Sequence, residues 1–235
     1  MKRARTAVVI FPGSNCDHDV WHVWQRVLGR PVEYVFHTST SLAGFDAVVL
    51  PGGFSYGDYL RSGAIARFSP IMQSVVAFAK AGGPVLGICN GFQVLTEAGL
   101  LAGALTRNRT LRFECRDVHI VAEAGGSMSE HSPPGTVLRM PIAHADGRFV
   151  ADAQTLRRLE GEGLVAFRYC EERGAVTDAA NPNGSANGIA GIYNDARNVL
   201  GLMPHPERAS EEVLGCTDGL AILRGLADLA AKRAA

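Results

Sequence analysis

The stretch Pro84–Gln93, "PVLGICNGFQ", runs from apolar residues into a cysteine set between two glycines. Its first half, "PVLGIC", reads as a short, continuously apolar strand, and "NGFQVLTEAGL" beyond it has helical spacing. A strand that turns at once into a helix, with Gly87-Ile88-Cys89-Asn90-Gly91 at the turn, has the pattern of a nucleophile elbow with sulfur in place of oxygen. Such a turn holds its central residue in a strained conformation, and a Cβ at either flanking position would crowd it. The helix start beneath Cys89 favours negative charge on the sulfur, and the N–H of Asn90 faces the place where an oxyanion would form. The bland alternative is a small apolar residue at a tight turn.

Outward from the elbow, strands and helices alternate. "TAVVIFPG", "PVEYVFH" and "FDAVVLPGG" read as strands, and "DHDVWHVWQRVLG" and "PIMQSVVAFAKAGG" as helices with glycine stops. Nearly continuous apolar strands between helices predict a mostly parallel central sheet with helices on both faces, an α/β fold. Ligands of such sheets bind beyond the carboxyl ends of the strands, where "FPGSNCD", "PGGFSYGD" and "GICNG" stand. Residues 107–168 differ. "RFECRDVHIVAEA" and "TVLRMPIAHADGRFV" alternate as antiparallel strands around a loop, "GGSMSEHSPPG", predicting a smaller antiparallel sheet. Two more strand-like pieces follow in "GIAGIYNDARNVLGLMPHPE", then an amphipathic helix in "DGLAILRGLADLAAKRAA". With no repeat, low-complexity tract or linker, residues 1–235 read as a single domain.

Composition narrows the class. Of 235 residues, 47% are hydrophobic and 20% charged, ordinary for a globular protein, and the net charge of +0 argues against a nucleic-acid binder. The N-terminal apolar stretch is too short for a signal peptide, and no run approaches the ~20 residues of a membrane span. Five cysteines without a CxxC pair predict free thiols in a reducing cytoplasm and no metal site. No phosphate-binding glycine motif occurs, so no nucleotide site is expected in this chain.

A cysteine nucleophile needs a base. Of seven histidines, His205 in "MPHPE" follows an apolar strand, with Pro204 and Pro206 fixing the backbone on both sides. Glu207, two residues on, projects to the same side and could hold one ring nitrogen while the other faces a thiol. A proline-rich turn with no chemistry is the alternative. Gly52 and Gly53, after another parallel strand, let the backbone approach a substrate and present a second N–H donor.

These residues are similar to a known family. "GICNGFQ" and "PHPE" resemble the class I glutamine amidotransferases of the Cys-His-Glu type. "GGFSYGDYLRSGA", "RFECR" and "PIAH" resemble, within that class, the glutaminase subunits of the purine-pathway enzyme that makes formylglycinamidine ribonucleotide. The likeness runs from about Ala7 to the C-terminal helix. It implies that Cys89 attacks the carboxamide carbon of glutamine to form a thioester, that His205 protonates the departing ammonia and then activates water, and that Glu207 orients His205. It implies that Gly53 and Asn90 hold the oxyanion. Gly52, Gln93, Asn108, Arg112, Phe113 and His144 are carried over as substrate-binding or pocket-bordering positions; Ala145-Asp146 departs from the pattern at the pocket rim. The resemblance further implies no cofactor in this chain, ATP and magnesium on a large synthetase subunit, and a small third subunit bridging the two. A PfpI-like cysteine hydrolase is one competing reading, although that group has histidine directly after the cysteine where Asn90 stands here. A non-catalytic binding subunit is another, but it would be expected to have lost one of Cys89, His205 and Glu207.

Overall fold

The computed structural model describes residues 3–123, 126, 128 and 130–235. The expected loop at 125–135 therefore lies partly outside the described residues. Nine strands form one sheet: β1 (Thr6–Ile10), β2 (Val32–Phe36), β3 (Ala47–Leu50), β4 (Val85–Ile88), β6 (Glu114–Ala122), β7 (Val137–His144), β9 (Val165–Cys170), β10 (Ile189–Tyr193) and β11 (Val199–Leu202). Their order is β2-β1-β3-β4-β11-β10-β9-β6-β7. A two-stranded antiparallel sheet pairs β5 (Ala104–Thr106) with β8 (Arg148–Val150).

At the centre of the parallel half and at the antiparallel edge, sequence character matches the pairing. β3, β4 and β11 are apolar at every position and buried throughout. They pair in parallel, as β1 does with β2 and β3, in the manner of strands covered on both faces. β7 alternates between buried and half-buried residues and lies at the antiparallel edge, as a strand with one solvated face does. β10 turns the sheet: it pairs antiparallel with both β11 and β9. The antiparallel strands thus extend the parallel sheet edge to edge.

The helices are α1 (Asp17–His22), α2 (Pro70–Lys80), α3 (Asn90–Glu97), α4 (Ala153–Gly161) and α5 (Leu220–Ala234). Ser69 precedes α2, Pro70 stands in its first turn, and Gly82 follows its end with a φ of +79° that suits glycine. The expected first helix continues past α1 as one wider π turn, Val23–Val27, closed by Leu28 N–H to Val23 O at 2.8 Å. That turn carries the fully buried Trp24, whose Nε1 donates to Thr6 Oγ1 at 3.0 Å, so packing on β1 sets the wider winding. α4 was absent from the expected pattern; it starts at Asp152, whose Oδ1 accepts from Thr155 N–H at 2.7 Å.

β1, β3, β4 and β11 lie side by side and parallel, so their carboxyl ends share one rim. The segments following them carry Cys16, Gly53, Cys89 and His205.

Candidate active site

Cys89 occupies the end of β4 and the residue before α3, with φ +50° and ψ −106°. A non-glycine residue there is strained, and the surroundings must hold it. Its N–H donates to Leu202 O on β11 at 2.7 Å, and its own carbonyl accepts from Gln93 N–H at 3.2 Å. The flanking glycines are a steric necessity. A Cβ on Gly91 would lie 1.9 Å from Leu50 O, and one on Gly87 would lie 2.5 Å from Leu95 Cδ1 and 2.7 Å from the Gly91 carbonyl.

His205 and Glu207 are almost wholly buried. His205 N–H donates to Pro141 O on β7 at 2.9 Å, and Nδ1 lies 2.6 Å from Glu207 Oε1. With Nδ1 engaged, Nε2 is the nitrogen open to a thiol, and it has no hydrogen-bond partner among the described residues. Burial alone would lower the pKa of this ring. The Glu207 carboxylate, then the sulfurs of Cys89 and Cys16, more than offset that, leaving the imidazole well above the usual histidine range. The ring rests on bare backbone: a Cβ on Gly52 would lie 2.8 Å from His205 Cε1 and 2.9 Å from Cys16 Sγ.

Cys89, His205, Gly53 and Phe113 wall one cavity of about 130 Å³. Gly53 has φ +147° and is bridged to Ser14; the ladder bonds run from Phe54 N–H to Gly13 O and from Asn15 N–H to Gly52 O, leaving the Gly53 N–H outside the ladder. Phe113, half exposed at the mouth, stacks on Phe54 with ring centres 6.5 Å apart. Gln93 is buried beside the elbow, its Oε1 accepting from Asn90 Nδ2 at 2.8 Å and its Nε2 donating to Asp146 O at 2.6 Å. Asn108, Arg112 and His144 stand back from the cavity wall. Asn108 Nδ2 donates to Arg112 O and His144 O, both at 2.8 Å, and its Oδ1 accepts from Gly147 N–H at 3.1 Å, so it braces the 144–147 turn. The buried His144 ring packs on Gly147, and burial lowers its pKa to about 4.

Asn15, Cys16, Phe54, Ala143 and Arg208 also line the cavity wall and escaped the sequence reading; Cys16 and Arg208 carry the most chemistry. Cys16 ends the segment after β1; Arg208 Nη2 donates to its sulfur at 3.2 Å while Arg208 Nε donates to Asp19 Oδ2 at 3.0 Å. "FPGSNCD" stood out as a strand-end segment, but nothing local tied its thiol to a histidine 189 positions away. Cys16, His205 and Glu207 bring a sulfur, a ring nitrogen and a carboxylate oxygen within 4.8 Å of one another, a donor set zinc could use. The guanidinium on the sulfur and the Nδ1–Glu207 bond oppose that use, and burial keeps the Cys16 thiol protonated by raising its pKa.

Residues 3–215 match the family model of the CobB/CobQ-like glutamine amidotransferase domain. The chain is 55% identical to the phosphoribosylformylglycinamidine synthase subunit PurQ of Salinibacter ruber, over 95% of both proteins. It is 57% identical to the subunit of the same name from Trichormus variabilis, over 93% of this chain and 95% of that protein. Among solved structures, a chain of PurLQS from Thermotoga maritima superposes with a TM-score of 0.84 at 38% identity, covering 97% of this chain and 99% of that one. A putative GMP synthase subunit from Thermoplasma acidophilum shares the fold, at a TM-score of 0.65 and 18% identity.

Proposed function

The chain belongs to the CobB/CobQ-like glutamine amidotransferase family, and from that premise we propose that it is the glutaminase subunit of phosphoribosylformylglycinamidine synthase. It hydrolyses glutamine to glutamate and passes the ammonia to a synthetase subunit, which converts formylglycinamide ribonucleotide to its amidine in purine biosynthesis. The observation that carries the reading is that His205, held through Nδ1 by the buried Glu207, walls the same cavity as the elbow thiol.

Cys89, its proton held on His205 Nε2, attacks the carboxamide carbon. The oxygen of the tetrahedral adduct faces the N–H groups of Gly53 and Asn90. The imidazolium, held by Glu207, gives its proton to the leaving nitrogen, and ammonia departs from a γ-glutamyl thioester. The neutral ring then takes a proton from water, hydroxide adds to the thioester, and the sulfur leaves with the proton as glutamate is released. Gln93 shapes the pocket from behind; Asn108 and His144 act one layer further back, bracing the turn that Gln93 contacts. Arg112 contributes its carbonyl to that brace.

ATP and magnesium belong to the large synthetase subunit in this reading, and a small third subunit bridges the two. The similar chain in the Thermotoga maritima PurLQS structure supports such an assembly. The continuous nine-stranded sheet supports one amidotransferase domain over the chain. No helix among the described residues is long and apolar enough to cross a membrane, in keeping with the cytoplasmic setting we propose.

The test is a Cys89→Ala variant in the reconstituted complex. Glutamine-driven amidine formation should fall by more than about 10³-fold while the ammonium-driven reaction persists. Glutamine-driven turnover near the wild-type rate would overturn the reading; so would loss of both reactions in a folded complex.

A further inference from the structure

The segment after β3 is built from an unfavourable backbone. Tyr56, Gly57, Asp58 and Leu60 all have positive φ, at +54°, +67°, +54° and +69°. Non-glycine residues adopt that region only when other contacts hold them there. The same segment begins with Gly53, so whatever fixes the turn also fixes where the Gly53 N–H sits.

One side chain grips both ends of the turn. Asn90, the residue after Cys89, accepts at Oδ1 from Ser55 N–H at 3.1 Å. That bond sets which way the carboxamide faces and leaves Nδ2 needing acceptors. It finds two: Gln93 Oε1 at 2.8 Å and Asp58 Oδ1 at 3.3 Å. The chain of contacts then closes on itself. Gln93 Nε2 donates to Asp146 O at 2.6 Å, and Ser62 Oγ donates to Asp146 Oδ2 at 2.9 Å while lying within hydrogen-bond reach of Asp58. The ring joins the elbow, the segment after β3 and the 144–147 turn.

We propose that Asp58 is a positioning residue: acting through the Asn90 carboxamide, it holds the 53–58 segment against the elbow so that the two oxyanion donors keep one separation. This rests on the reading above, in which Gly53 and Asn90 supply those donors. Burial raises the Asp58 pKa to about 6, with the facing Asp146 carboxylate adding to the rise and Ser62 and Asn90 opposing it, so near pH 7 the group is an ionised acceptor. Asparagine tolerates positive φ and can accept through its own Oδ1, so Asp58→Asn preserves the contact; Asp58→Gly suits the backbone and removes it.

The experiment compares these variants with Cys89→Ala for glutamate release in the reconstituted complex. Because the oxyanion exists only on the way to reaction, Asp58→Gly should lower kcat at least tenfold and leave KM for glutamine within about twofold. Asp58→Asn should recover kcat to within about threefold of wild type. In a double-mutant cycle with Asn90→Ala, the two losses should be far from multiplicative, since one residue acts through the other. Wild-type kcat in Asp58→Gly overturns the proposal. So does a raised KM at unchanged kcat, which would assign the carboxylate to the substrate. Should the glycine variant not fold, Asp58→Ser, whose hydroxyl is too short to reach Nδ2, must show the same kcat loss or the proposal falls. A Cys89→Ala variant that still releases glutamate sinks the underlying reading; a dead Cys89→Ala beside a normal Asp58→Gly sinks this proposal alone.

Discussion

Two buried histidines are driven in opposite directions. His205 is held above the ordinary range by the Glu207 carboxylate, whereas His144, buried against Gly147 and repelled by a charged His205, titrates at about 4. The sign for His144 follows directly. Its native pKa lies below the unfolded value near 6.5, so between those values the unfolded chain binds the proton and the native one does not. Its contribution is intact above pH 6.5 and is lost as pH falls toward 4, a loss of about 3 kcal/mol at the acid end. Urea midpoints from pH 7 to 4.5 should therefore decline less steeply in a His144→Gln variant than in wild type. The His205–Glu207 relation was legible in sequence because both residues stand in one pentapeptide. The surroundings of His144 were not: Asn108, Gly147 and Asn183 approach it from three separate segments, and "PIAH" alone suggested a place at the pocket border.

At the scale of elements, the elbow depends on how closely α3 approaches the ends of β3 and β4. Gly91 lies against the Leu50 carbonyl, which is backbone of a central strand and cannot yield as a flexible side chain can. Gly91→Ala should cost about 3 kcal/mol, the upper part of the range for overpacking a close contact, and should lower the thermal midpoint together with activity. That both glycines of the motif are sterically required could be read from the pattern G-x-C-x-G before any coordinates. Strands and helices with strong periodicity were equally legible. α4 was not, because "AQTLRRLEG" offers few large apolar residues, and the π turn was not, because its cause is Trp24 meeting Thr6 on another strand. Cys16 stayed hidden for the same reason: its significance arises only where the rim of β1 meets that of β11.

Across the whole molecule, β11 joins two kinds of sheet. It runs parallel to β4 on one side and antiparallel to β10 on the other, and each of its ends has its own task. Beyond its carboxyl end stands His205. At the other end, the buried Asn198 donates from Nδ2 to Ala79 O at 2.8 Å and Gly83 O at 2.7 Å, pinning the end of α2 beneath the sheet. Asn198→Ala would leave the Gly83 carbonyl without this partner, while the Ala79 carbonyl keeps the Gly82 N–H at 3.0 Å. We expect a loss of about 1–3 kcal/mol in denaturant unfolding, with kcat at 25 °C unchanged in the fraction that stays folded. Sequence periodicity marked the strands up to β4 as parallel and those of β6 and β7 as antiparallel, but it left β10 and β11 unassigned and could not tell that all share one sheet, because pairing between β11 and β10 is a matter of register that composition does not carry.

The backbone of Cys89 has a further consequence. A residue at φ +50° and ψ −106° does not hold that shape by its own preference; β3, β4, β11 and α3 impose it together. The sulfur's aim is thus borrowed from its neighbours, and loosening any one of them returns the turn to an ordinary conformation in which the thiol no longer meets its base. A partly loosened copy is therefore expected to lose glutaminase activity before it loses its fold.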